Sequence, residues 1–549
     1  MTAPLVDIRG LTLTFGGDSA TPVLHGVDLQ VARGEILGVI GESGSGKTMT
    51  GMALLRLLPG TATVAAEAMT FDGIALPGLD ELQFGALRGV RLAMVFQDPV
   101  GAFNPSKRVG WHFHHILRRR GETRRAANRA RAVSLLGEVG IRRPEETFDL
   151  YPHQLSGGML QRALIALVLA LEPDLVVADE PTSNLDKLVE HQILTLFREM
   201  QQRLRAGMIF VTHDMAVAAA LCDRIAVMRQ GVVVETGTAG QIFAAPQHAY
   251  TRLLIDTARR LSEGPAKRAQ PEPEAGSVPL MRVSGLDVTF PSAGGRGAFR
   301  ALDGITLDIR RGEVLGLVGE SGSGKTTLGR TLLRLLEPSA GSLLYKGRDI
   351  AHTPEARLRG IRRELQMVFQ DPGGSFNPRK PMHASLADAL RATGLRDRAA
   401  IASRISGLMQ RVGLTDRHAA RYPHELSGGQ LQRVAIARAL ALEPELIVAD
   451  EPVSKLDVSV RAGVLDLFRD IQAETGLAMV FITHDLEVAR YLCDRIGVLR
   501  HGRLLELGPT GRIFADPQHT YTKTLLATLD YTMSGKHFGA GGYGPDGRA

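Results

Sequence analysis

The chain has 549 residues, and its 65 basic against 58 acidic side chains leave a net charge of +7, a modest excess that reads as a mixed solvated surface rather than a nucleic-acid-binding one. That length predicts three or four domains of about 150 residues, or two larger lobes. Only two cysteines, Cys222 and Cys493, argue against a disulfide scaffold and a cysteine-held zinc or iron–sulfur site, and the opening MTAPLVDIRGLTL and the lack of any apolar run near ~18 residues argue against a signal peptide or a membrane span.

In chain order, LVDIRGLTLTF and VLHGVDLQV alternate apolar with polar residues and predict strands. Phe15, at the end of the first, either packs inward or offers its ring to an adenine, and Phe290 holds the matching place in the second half. A short apolar strand from Ile36 to Ile40 then runs into Gly41, Glu42, Ser43, Gly44, Ser45, Gly46, Lys47 and Thr48, and a helical pattern follows. This is the context of a P-loop. Its glycines let backbone N–H groups curl around a phosphate chain, Lys47 can reach the β and γ phosphates, and Thr48 can offer a hydroxyl to Mg²⁺. A ligand-free glycine-rich turn is the plain alternative. Against it, the octapeptide recurs intact as Gly319, Glu320, Ser321, Gly322, Ser323, Gly324, Lys325 and Thr326, again after an apolar strand, Val314 to Val318.

LAMVFQDP predicts a strand ending near Gln97. The stretch from His112 to Leu136, with Arg118, Arg119, Arg120, Arg124, Arg125, Arg129 and Arg131, reads as a solvated helical face rather than a nucleic-acid contact. In YPHQLSGGMLQR, Ser156, Gly157 and Gly158 open an apolar helix, a pattern suited to holding an anion at a helix N-terminus. LVVADEP delivers Asp179 and Glu180 to the C-terminal end of a strand, where one carboxylate suits Mg²⁺ and its waters and the other an attacking water. MIFVTHD delivers His213 to the same edge, where ligands of open parallel sheets gather.

The second half repeats this order. Ser156 and Ser427, Glu180 and Glu451, Asp186 and Asp457, His213 and His484, and Cys222 and Cys493 are each 271 positions apart (427 − 156), whereas Lys47 and Lys325 are 278 apart (325 − 47). The halves therefore read as a tandem duplication with small changes in loop length. The expected organisation is a first α/β domain at 1–261, a Pro- and Glu-rich semi-extended linker at 262–279, a second α/β domain at 280–533 and a Gly-rich disordered tail at 534–549.

On these motifs the chain resembles, from Leu5 to about Tyr531, an ABC-transporter ATP-binding protein with two fused nucleotide-binding domains. The fold so implied is two tandem P-loop ATPase domains, each a mixed and parallel sheet core with a helical subdomain that carries the signature. By resemblance, Gln97 and Gln370 are the Q-loop glutamines and share the metal with Thr48, Asp179, Thr326 and Asp450. LSGGM with Ser156, Gly157 and Gly158, and LSGGQ with Ser427, Gly428 and Gly429, are the signatures. Glu180 and Glu451 are the catalytic glutamates, and His213 and His484 contact the γ-phosphate. The resemblance implies two MgATP, each between the P-loop of one lobe and the signature of the other, with both partners supplied by one chain that closes on ATP.

FQDPVGAFNPSKRVG, FQDPGGSFNPRKP, QHAYTRLL and QHTYTKTLL narrow the resemblance to the dipeptide, oligopeptide, nickel and opine importer group. That implies an ATPase powering import of peptides or related small solutes, peripheral on the cytoplasmic face of the inner membrane. Its partners would be two membrane permease subunits and, through them, a solute-binding protein, with no nucleic acid. Leu160 and Leu431 stand where relatives often carry arginine, and Asn184 and Lys455 where a small residue is usual. Some members add a cysteine cluster holding iron and sulfur, which one cysteine per lobe cannot build. A sugar importer's fused ATPase is disfavoured by the FNP and AYT segments, and a ribosome-acting ATPase by the short Pro-rich linker.

Overall fold

The computed structural model describes residues 3–16, 21–182, 185–264, 278–291, 298–454 and 456–533. Asn184, Lys455, most of the expected linker and the Gly-rich tail lie outside them. The chain divides into two compact units, one of Met1–Asp256 with Thr528–Ala549 and the other of Thr257–Ala527.

In the first unit an antiparallel sheet centres on Val6–Phe15, which pairs with Thr21–Val31 on one side and with Ala68–Phe71 and Ala62–Ala65 on the other. Its inward residues, among them Ile8, Leu11, Leu13, Leu24 and Phe71, are fully or almost fully buried. They pack with Leu37, Val39, Val177 and Val211 of a second sheet and with Ala53 and Leu54 of the helix Lys47–Leu54 in one core. Each large apolar side chain so buried stabilises the layered arrangement by roughly 1.5–3 kcal/mol, so the helix after Gly46 is fixed by packing on both sheets.

The second sheet sets the site. Its six strands run in the order Val232–Thr238, Arg224–Arg229, Ile36–Ile40, Gly207–Thr212, Leu175–Asp179 and Leu92–Val95. All neighbours are parallel except the outermost pair Val232–Thr238 and Arg224–Arg229. Strands buried on both faces need continuous apolar runs, and ILGVI, LVVAD and GMIFVT are buried throughout. Parallel strands discharge their C-terminal ends along a single edge.

Between Leu92–Val95 and Leu175–Asp179 the chain inserts a helical layer, Val109–Arg119, Arg125–Glu138, Pro144–Asp149 and Gly157–Leu171. The Arg-rich stretch expected to run from His112 to Leu136 is two helices, broken where Gly121 takes φ 93°, a left-handed value that suits glycine. Its arginines are largely exposed and ion-paired: Arg129 meets Asp149 at 2.8 Å and Arg131 meets Glu172 at 3.3 Å.

The second unit repeats this plan. An antiparallel sheet centres on Met281–Pro291, and a six-stranded sheet has the order Leu365–Val368, Leu446–Asp450, Ala478–Thr483, Val314–Val318, Arg495–Arg500 and Arg503–Pro509. Its helical layer comprises Met382–Ala392, Arg398–Arg411, Asp416–Ala419 and Gly428–Leu440. Among the described residues no helix is long and apolar enough to cross a membrane.

Candidate functional site

Four adjacent parallel strands end side by side at one edge of each six-stranded sheet. In the first lobe they bring up Gly41 after Ile36–Ile40, His213 after Gly207–Thr212, Asp179 and Glu180 at the end of Leu175–Asp179, and Gln97 beyond Leu92–Val95. Neighbouring strands lie about 4.8 Å apart, so side chains from successive strands are within reach of one another.

The glycine-rich loop is shaped by close approach. A Cβ on Gly41 would lie 2.2 Å from the carbonyl oxygen of Met228, and Gly46, at φ 99°, caps the helix Lys47–Leu54 in a conformation that a side chain resists. Lys47 is buried and folds back over the loop, its Nζ donating to the carbonyls of Gly41 at 2.8 Å and Glu42 at 2.9 Å. Lys325 does the same to Gly319 and Glu320, both at 2.7 Å. The Ser45 hydroxyl is buried with no hydrogen-bond partner among the described residues.

Beside the loop, Thr48 Oγ1 donates to Asp179 Oδ1 at 2.8 Å, and Thr326 Oγ1 to Asp450 Oδ1 at 3.0 Å. Burial pushes the Asp179 carboxyl up; the Thr48 hydrogen bond opposes this, the Glu180 charge adds to it and Lys47 lowers it again. Asp450 is raised in the same way, with burial again the largest cause. Such a carboxylate is best relieved by a cation.

The neighbouring glutamate is held differently. Glu180 receives Gln97 Nε2 on Oε2 at 3.0 Å and meets His213 Nδ1 through Oε1 at 3.2 Å; in the second lobe Glu451 has Gln370 at 2.9 Å and His484 at 3.2 Å. Burial pushes both glutamates up, but the hydrogen bond and charge of the histidine, with the adjacent P-loop lysine, outweigh it and hold them below the usual range. Each glutamate also has a left-handed backbone, φ 41° and 43°, pinned because its N–H donates to Val211 or Ile482. A non-glycine residue in that region is uncommon and clusters at functional sites. Neither the glutamine–glutamate contact nor this backbone was foreseen from the sequence.

Ser156 and Ser427 are the N-caps of Gly157–Leu171 and Gly428–Leu440, each hydroxyl accepting the N–H three residues on at 3.3 Å. The second glycine of each pair sits close to the next helix: a Cβ on Gly429 would lie 2.3 Å from Val460 Cγ1, and one on Gly158 3.2 Å from Val189 Cγ1. Phe15 is half-buried against the first core, whereas Phe290 is 38% exposed. The two cysteines lie between a helix and a strand, with Sγ beneath Gly38 and Gly316, and burial pushes both thiols up.

A phosphate-cradling loop and a hydrogen-bonded carboxylate on one sheet edge, present in both units, define a tandem P-loop ATPase. The chain belongs to the ABC transporter family, whose model matches residues 24–183 and 302–454. A second model, described as the C-terminal region of oligopeptide/dipeptide transporters, matches 234–281 and 505–538. Among curated relatives, the glutathione import ATP-binding protein GsiA of Escherichia coli K12 is 40% identical over 553 residues, covering 95% of this chain and 89% of the relative. GsiA of Salmonella choleraesuis is 39% identical over 564 residues, covering 97% and 90%. A solved bacterial ABC transporter cassette is 30% identical and covers 42% of this chain and 98% of its own, with a TM-score of 0.40.

Proposed function

We propose that this chain hydrolyses ATP at two sites to drive import of peptides or related small solutes, glutathione-like molecules included, through membrane permeases that it docks against from the cytoplasmic side. The observation that carries the reading is the doubled site: each lobe places P-loop, threonine–aspartate pair and glutamine–glutamate–histidine ring on one sheet edge, within a chain whose relatives are named as import ATPases.

Lys47 and Lys325 would leave the loop carbonyls for the β and γ phosphates, and a phosphate oxygen would satisfy the buried Ser45 hydroxyl. Thr48 with Asp179, and Thr326 with Asp450, are hard oxygen donors that fit Mg²⁺, and among the described residues no group of three His, Cys, Asp or Glu forms a ready metal site. A cation held by so few protein ligands leans on substrate phosphates and water, which is the habit of Mg²⁺. When bound, Mg²⁺ neutralises charge on the phosphates. Gln97 and Gln370 would turn from the glutamates toward it. Ionised Glu180 and Glu451 would polarise the attacking water, with His213 and His484 orienting the carboxylate and then the γ-phosphate. We assign Ser156, Gly157 and Gly158, and their counterparts Ser427, Gly428 and Gly429, to ATP binding as signature residues, and Phe15 and Phe290 to the adenine. Two permease subunits and, through them, a solute-binding protein complete the machine.

The test is reconstitution of the chain with its permeases in vesicles, reading ATPase stimulation by candidate binding proteins loaded with dipeptide, glutathione, an opine or nickel. Stimulation by one loaded protein, lost in Lys47→Ala/Lys325→Ala, supports the proposal. A chain that co-purifies with ribosomes and never with a permease would overturn it.

A further inference from the structure

The stretches QHAYT and QHTYT mark a family in the sequence but have no chemical task in the site described above. The structure brings both back to the P-loop. Tyr250 lies on the helix Ala249–Glu263 and is 4% exposed, and its hydroxyl accepts the backbone N–H of Glu42, the second residue of the P-loop, at 3.1 Å. Tyr521, on Thr520–Met533, is equally buried, and its hydroxyl accepts the N–H of Glu320 at 3.3 Å. The same contact therefore forms twice, between residues more than 200 positions apart in each case.

Both tyrosines are themselves held. The Arg229 guanidinium lies 4.9 Å from the centre of the Tyr250 ring, and Arg500 lies 4.6 Å from that of Tyr521. The residue before each arginine, Met228 or Leu499, presents the carbonyl that abuts Gly41 or Gly319. One turn later, the Gly231 N–H donates to Ser45 O and the Gly502 N–H to Ser323 O, both at 3.0 Å. The start of each tyrosine-bearing helix is anchored by a carboxylate: Glu235 accepts the N–H of Gln247 at 2.7 Å and of His248 at 3.0 Å, and Glu506 accepts those of Gln518 at 2.9 Å and His519 at 3.1 Å. Burial pushes both carboxyls up, but these N–H bonds outweigh it, so both are held below the usual range.

We propose that Tyr250 and Tyr521 are positioning residues for the nucleotide, through which the C-terminal segment of each lobe sets the geometry of its P-loop. This rests on the reading of the P-loops as ATP sites. A P-loop binds by the direction of successive N–H groups, so tethering that of its second residue to a rigid phenol fixes where the following ones point. The tether comes from the region matched at 234–281 and 505–538, outside the ABC-core match at 24–183 and 302–454. Nucleotide affinity thus depends on a segment that the ATPase core does not contain.

The experiment uses the full chain with one P-loop disabled, so that a single site is read. Tyr250→Phe is placed on Lys325→Ala and Tyr521→Phe on Lys47→Ala, and a fluorescent ATP analogue is titrated with Mg²⁺. Each phenylalanine keeps the ring and its arginine but loses the oxygen, and should weaken binding about 5-fold, the worth of one hydrogen bond. In the otherwise unaltered chain, Tyr250→Phe/Tyr521→Phe should raise KM for ATP with kcat within about twofold of the parent, because affinity and not the chemical step is changed. Glu235→Gln, which loosens the anchor, should shift affinity in the same direction. Unchanged affinity in both tyrosine variants would overturn the proposal, as would a joint fall of kcat and thermal midpoint that marks general damage. If Lys47→Ala/Lys325→Ala kept full affinity, the ATP-site reading itself would fall; if it lost nucleotide while both phenylalanine variants were silent, the tether alone would fall.

Discussion

In the first lobe Asp214, the residue after His213, pairs with Lys187 at 3.0 Å; in the second the matching Asp485 pairs with Arg461 at 3.2 Å, a cation one helical turn further along. A second tie reverses its sign. Glu138 of the helical layer meets Arg203 at 2.6 Å, whereas at the matching places Arg411 meets Glu474 at 3.0 Å. The capping of the signature helix differs too: Gln430 returns a side-chain bond to the Ser427 N–H at 3.1 Å and closes a capping box, and Met159 has no oxygen with which to do so. The rings around Glu180 and Glu451 nevertheless agree within 0.1 Å, at 3.0 and 3.2 Å against 2.9 and 3.2 Å. A tie between two elements needs only opposite charges that meet, so its residues can be exchanged or swapped. A reacting ring needs particular atoms at particular places.

The sharpest way to break this equivalence is at the glutamates. Glu180→Gln and Glu451→Gln should each cut ATP turnover at least ~100-fold in the reconstituted transporter while leaving MgATP binding intact, since each removes the carboxylate proposed to polarise the attacking water in the transition state. Wild-type turnover in either variant would make that lobe regulatory. Next comes pH. Because both glutamates are held below the usual range, turnover should persist on the acid side and fall only as pH drops through the depressed value. His213→Ala or His484→Ala removes the hydrogen bond and charge that lower it and leaves burial, which raises it, so the acid limb of the residual activity should move to higher pH, by equal amounts if the lobes are equivalent.

Smaller effects probe the supports. Arg461→Met and Lys187→Met should each destabilise by about 1–3 kcal/mol in chemical denaturation, because each removes the cation beside a mostly buried aspartate, and Lys187 is also paired with the buried Glu190. A loss confined to one lobe would show that the displaced cation is no true equivalent. Met159→Gln should add about 0.5 kcal/mol by closing the missing capping box, and Gln430→Met should remove a similar amount. A destabilising Met159→Gln would mean that the first signature helix starts in a way a box cannot improve.

What the sequence made legible was chemistry confined to contiguous stretches. A phosphate chain forces glycines, lysine and threonine into one octapeptide, and a strand end delivers Asp179 and Glu180 together. What it hid was chemistry made by adjacency of strands. Gln97 meets Glu180 only because Leu92–Val95 lies beside Leu175–Asp179, 83 residues separating the two side chains. Tyr250 could be seen as a family marker, but its partner Glu42 lies at the far end of its lobe in sequence. The sign-reversed tie between the helical layer and its neighbour was invisible for the opposite reason, since no single charge there is required.

The left-handed backbone at Glu180 and Glu451 limits how a lobe can fall silent. At φ 41° and 43°, glycine, asparagine or aspartate fits with little strain, whereas valine or isoleucine would be forced against its own carbonyl. On the proposal that these glutamates polarise the attacking water, the position is thus lenient toward residues that would abolish hydrolysis and strict toward those that would spoil the loop. In a duplicated chain whose two sites both turn over as proposed, a single codon change would leave one cylinder working and one idle, without unfolding either half.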